Sequence, residues 1–154
     1  EEVARAWVDK LVAAIRKHDD KHLVTVGVIP WALAFYPHGR PVFYADGVGN
    51  KLDFVSVHFY PRTGEVDKAL QALKKYDLNK PLVVEEMFPL RCSMEELDAF
   101  IDGSRDIAEG WIGFYWGKTV EEYQQSEKTI AAAITAKWLK YFKAKAPEML
   151  HKVN

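Results

Sequence analysis

The chain has 154 residues, 49% of them apolar, enough to build one folded domain with a proper core and too apolar for a disordered polymer. With 21 basic and 22 acidic residues, a net charge of −1 excludes the basic footprint of a nucleic-acid binder. No apolar run approaches the roughly 20 residues of a membrane-spanning helix, and the lone Cys92 excludes an internal disulfide or a paired-cysteine metal knuckle.

In chain order, Val3, Trp7, Val8, Leu11, Val12 and Ile15 recur on one face of a helix predicted over residues 2–18. Glu1 stands in mid-helix with no capping residue before it. The chain is therefore expected to begin inside a larger protein, and the missing leader says nothing of secretion. "HLVTVGV" (22–28) reads as a β-branched strand, and residues 29–51, rich in Pro, Gly and aromatics, as a long loop with a short helix. "LDFVSVHFY" (52–60) is the next strand, stopped by Pro61. Val66, Ala69, Leu70, Leu73 and Tyr76 then repeat at helical spacing.

"KPLVVEE" is a third strand, and Ser93 with Glu96 spells a capping box for a helix carrying Leu97, Phe100, Ile101 and Ile107. Cys92 just before that helix makes a lowered thiol pKa conceivable, with Arg91 as its only adjacent cation. "GWIGFYWG" (110–117) is a fourth strand. Thr119 with Glu122 caps a last long helix bearing Tyr123, Ile130, Ile134, Trp138 and Phe142, which Pro147 ends. Strands alternating with helices at intervals of about 30 residues build parallel sheets. Two architectures fit, a doubly wound open sheet and part of a (β/α)8 barrel, which needs eight strands where this chain offers four.

Ligands of parallel α/β folds sit at the C-terminal ends of strands. Here those ends carry His58 and Tyr60, then Glu86, then Trp116. His58 and Tyr60, two apart, share a face; Glu85 and Glu86, adjacent, point apart. One acid is thus expected to work and the other to brace a neighbouring strand or helix. No GxGxxG, P-loop, HxH or HExxH spacing is present, so neither cofactor nor metal is implied.

Taken together, "HFY", "KPLVVEE" and "GFYWG" resemble strands six, seven and eight of clan A glycoside hydrolases, most of all glycoside hydrolase family five, the cellulase and mannanase group. The resemblance implies His-x-Tyr at His58 and Tyr60, a nucleophile at Glu86, the fifth residue after Pro81, and a sugar-stacking Trp116. By the same resemblance Trp31, Phe35, Tyr36 and Tyr44 add sugar subsites. It further implies a retaining mechanism on a β-linked polysaccharide or oligosaccharide.

The chain departs from the pattern in having "MFPL" where the family places Phe-Gly after the nucleophile. It also lacks the Asn-Glu-Pro-like stretch of strand four that bears the acid/base, which would lie upstream of Glu1. Residues 1–154 are therefore expected to be one C-terminal half-barrel segment without strands one to four. Such a segment is expected to be inactive alone and to pair with the N-terminal half or with itself through exposed sheet edges. Two other readings stay open. One is a non-catalytic carbohydrate-binding relative. The other is a flavodoxin-like binding domain in which Glu86 forms an incidental ion pair with Lys80, Arg62 or Arg91.

Overall fold

The computed structural model describes residues 1–29, 41–44, 47–125 and 129–150, which fall into two compact units, Glu1–Phe114 and Tyr115–Asn154. In the first unit, helix α1 (Glu2–Arg16) precedes strand β1 (Gly27–Val28), and β2 (Val55–His58) leads to helix α2 (Val66–Leu73). Strand β3 (Leu82–Met87), helix α3 (Met94–Gly103) and strand β4 (Gly110–Gly113) complete it. The four strands form one parallel sheet in the order β1-β2-β3-β4. A doubly wound sheet reverses its strand order at a switch point. Here every step goes the same way, and right-handed crossovers then place the connecting helices on one face. This is the arrangement of neighbouring staves in a partial (β/α)8 barrel.

The core lies between that face and the helices. Val55, Val57, Leu82 and Val84 are fully buried from the strand side and Leu73, Leu97, Phe100 and Ile101 from the helix side. Phe59 stacks on Phe100 with ring centroids 5.3 Å apart. Helix α3 begins as the sequence predicts: Ser93 Oγ accepts the Glu96 N–H and the Glu96 carboxylate accepts the Ser93 N–H. Glu96 also accepts the Gly64 N–H, tying the loop before α2 to this cap. These backbone donors hold the Glu96 carboxyl below its usual range. The helix stops at Gly103, so Ile107 lies in the following turn instead of on the helix.

The strand expected over 22–28 shrinks to Gly27–Val28 because side chains take over its pairing. The Val24 N–H donates to Asp53, Thr25 Oγ1 donates to the Phe54 carbonyl, and the Tyr44 hydroxyl donates to the Val26 carbonyl at 2.5 Å. The same hydroxyl accepts the Ser56 N–H at 3.0 Å. Tyr44 thus replaces a rung of the β1–β2 ladder. At the opposite end of the strands Lys80 Nζ donates to the carbonyls of Gly49 and Leu52, so it is not the ion-pair partner of Glu86.

In the second unit Thr119 and Glu122 cap each other as expected, but over a short helix α4 (Val120–Gln125). A separate helix α5 (Ile130–Leu150) starts with Thr129 Oγ1 accepting the Ala132 N–H. Pro147 lies inside α5 and does not end it. Its ring suits helical φ, and so near the C-terminus only one backbone hydrogen bond is lost.

Because the Tyr44 hydroxyl serves one buried and one part-buried backbone group, Tyr44→Phe is expected to lower stability by about 1–3 kcal/mol in urea denaturation, with little change in denaturant slope.

Candidate active site

The site is built on a bulge. Strand β2 pairs with β3 as Val57↔Val84 and then His58↔Glu86, so Glu85 is an extra residue on β3. The β3–β4 pairing slips at the same place, from Val84↔Trp111 to Met87↔Gly113. Outside the bulge β3 alternates: Leu82, Val84 and Met87 are buried, while Val83, Glu85 and Glu86 are partly open. Glu85 and Glu86 therefore turn to the same side, and the expectation that they point apart is corrected. An extra residue in one strand re-aims the side chains that follow it.

Both acids reach one imidazole. His58 Nε2 lies 2.7 Å from Glu85 Oε1 and His58 Nδ1 lies 2.9 Å from Glu86 Oε2. The second oxygen of Glu86 accepts the Tyr60 hydroxyl at 2.5 Å. Its backbone is fixed too, the Glu86 carbonyl accepting the Phe59 N–H at 2.7 Å. Burial, then the hydrogen bond to Glu86, push the Tyr60 phenol well above its ordinary range, so it remains a donor at neutral pH. The His58, Glu85 and Glu86 side chains keep 21–29% exposure. Together with Ile29, Leu90 and Arg91, the residues His58, Tyr60 and Glu86 line a cavity of about 270 Å³. The imidazole stands between the two acids, so the three groups do not converge on a single point where a metal would sit.

Of the residues singled out in the sequence, His58, Tyr60 and Glu86 come together. Trp116 belongs to the second unit, where it is fully exposed and lines a hollow with Tyr115, Thr119, Leu139 and Lys143. Trp31, Phe35 and Tyr36 lie outside the described residues. Tyr44 is buried, and its hydroxyl is spent on the backbone of Val26, just before β1, and of Ser56 in β2.

Sequence reasoning missed Gly27 and Leu90, and it named Arg91 only as an incidental ion-pair partner of Glu86 and a neighbour of Cys92. A Cβ on Gly27 would stand 1.9 Å from Glu85 Oε1 and 2.7 Å from His58 Nε2, so glycine alone leaves room for that pair. A glycine inside the β-branched run "VTVGV" was the available signal, since it marks a close approach. Nothing in residue type distinguishes Leu90 and Arg91 from other loop residues.

No protein-family model matches the sequence, and no curated protein matches it. Among solved structures the fold is similar to the catalytic domain of Thermobifida fusca endoglucanase Cel5A, at 20% identity and a TM-score of 0.59. The match covers 74% of this chain and 40% of that one.

Burial, then the Glu96 carboxylate, push the Cys92 thiol up to about 11, opposite to the lowered value the sequence left conceivable. Below that value the thiolate is a minor species. Alkylation of the folded chain by iodoacetamide at pH 8 is expected to run on the order of 10²-fold slower than for a free cysteine, and to recover that rate in urea.

Proposed function

We propose that residues 1–154 are the C-terminal half of a retaining glycoside hydrolase barrel acting on a β-linked glycan, with Glu86 as the nucleophile. The observation that carries this reading is the double seating of Glu86. Tyr60 holds one carboxylate oxygen and His58 the other, at the C-terminal end of a parallel strand and on the wall of a cavity. A carboxylate held in this way has its attacking direction fixed before substrate arrives. The similarity to an endoglucanase catalytic domain supports the same fold setting.

Retaining hydrolysis needs a second carboxyl group about 5–5.5 Å away to protonate the leaving group. We assign that role to an upstream glutamate in the missing half. General-acid help of this kind is typically worth about 10²–10⁴-fold, so the chain alone is expected to be nearly inactive on natural glycan. Trp116, Trp31 and Tyr36 would supply flat apolar surface for pyranose rings.

Three exposed surfaces support an N-terminal half-barrel as the partner. Among the described residues, β1 and β4 are the outer strands of the sheet. Ile112 and Phe114, alternate residues running off β4, are 55% and 61% exposed. Helix α1 buries Ala4, Val8 and Val12 on one stripe and exposes Val3, Trp7, Leu11 and Ile15 on the next. A helix apolar on two stripes fits between two neighbours.

The test is covalent trapping with a 2-deoxy-2-fluoro glycosyl fluoride, whose activated leaving group needs little protonation. Peptide mapping is expected to find the label on Glu86 in the chain joined to its N-terminal half, and Glu86→Gln is expected to abolish it. A label on another residue, or full turnover by Glu86→Gln, overturns the reading.

A further inference from the structure

Glu85 has no part in the mechanism just proposed, yet its carboxylate is closely fitted. Three independent features hold it. The bulge in β3 exists at this residue and turns it to the same side as Glu86. Its Oε1 lies 2.7 Å from His58 Nε2, the nitrogen that Glu86 does not use. On the third side, β1 carries a glycine where any side chain would collide with that same oxygen. An acid on a strand facing water would need none of these.

The hydrogen-bond inventory says what the fit accomplishes. A carboxylate oxygen at 2.7 or 2.9 Å from a ring nitrogen requires a shared proton on that contact. With both acids ionised, each contact needs an N–H from the ring, and a doubly protonated imidazole then meets one carboxylate at each end. Without Glu85 the imidazole is free to turn about its side-chain bonds and to present a bare nitrogen to Glu86. Tyr60 holds the other Glu86 oxygen, and Arg91 lines the same cavity.

We infer that Glu85 is a positioning residue for Glu86 that acts through His58: by engaging Nε2 it fixes the ring so that Nδ1 presents a proton to Glu86 Oε2. The inference rests on the proposed hydrolase only for its catalytic consequence. A carboxylate behind a ligand-orienting histidine has the same logic in metal sites, where its removal costs about 10–100-fold.

The experiment has two arms. In the first, the full chain is labelled and the side-chain carboxyl ¹³C resonance of Glu86 and the ring ¹⁵N resonances of His58 are followed by NMR. Glu85→Gln is expected to move both sets, and Gly27→Ala, which displaces Glu85 without altering any polar group, is expected to produce the same displacement. In a His58→Asn background Glu85→Gln is expected to leave the Glu86 signal in place. An unmoved Glu86 signal in Glu85→Gln, or an equal movement with and without His58, overturns the inference.

In the second arm, the rate constant for trapping Glu86 in the completed protein is expected to fall about 10–100-fold in Glu85→Gln, with the reagent's half-saturating concentration little changed. Trapping at the wild-type rate also overturns the inference while leaving the hydrolase reading intact. If the wild type itself is not trapped, the hydrolase reading fails and the NMR arm alone decides the role of Glu85.

Discussion

One imidazole clasped between two carboxylates is the contact on which the site depends. Adjacent acids on one face of a strand are an unfavourable pair. At an effective dielectric constant near 20, like charges a few ångströms apart cost roughly 2–4 kcal/mol. The His58 ring stands between them with a nitrogen toward each. The bulge in β3 makes that geometry possible, and the missing side chain at Gly27 makes room for it. The backbone irregularity, the glycine and the ionisable trio thus form a single construction spread over three strands.

The fold was legible where one residue type dominates one local choice. The capping pair Ser93 and Glu96 and the apolar repeats of α1 and α2 were read correctly because capping chemistry and helical period are local. The ends of the strands were not, since strand length is decided by partners. Residues 23–26 look as β-prone as their neighbours. The Asp53 carboxylate takes the Val24 N–H and the Tyr44 hydroxyl donates to the Val26 carbonyl, while Thr25 Oγ1 donates to the Phe54 carbonyl across from them.

The pairing of His58 and Tyr60 with Glu86 followed from strand alternation and a family likeness, and these three residues do meet. Alternation failed one residue earlier. A bulge is a mismatch between two strands, and neither strand carries it in its own composition. The same limit hid Gly27, whose importance is set by a glutamate on a strand it does not pair with directly.

The sequential strand order also has a directional consequence. All four strands run the same way, so the clasped glutamate sits at one rim of the sheet and Lys80 at the other. A strand added antiparallel at either border would belong to a sheet whose own C-terminal ends point to the Lys80 rim. Its side chains would then be delivered to the wrong mouth. On the half-barrel reading proposed above, polarity therefore restricts which polypeptide could extend this sheet.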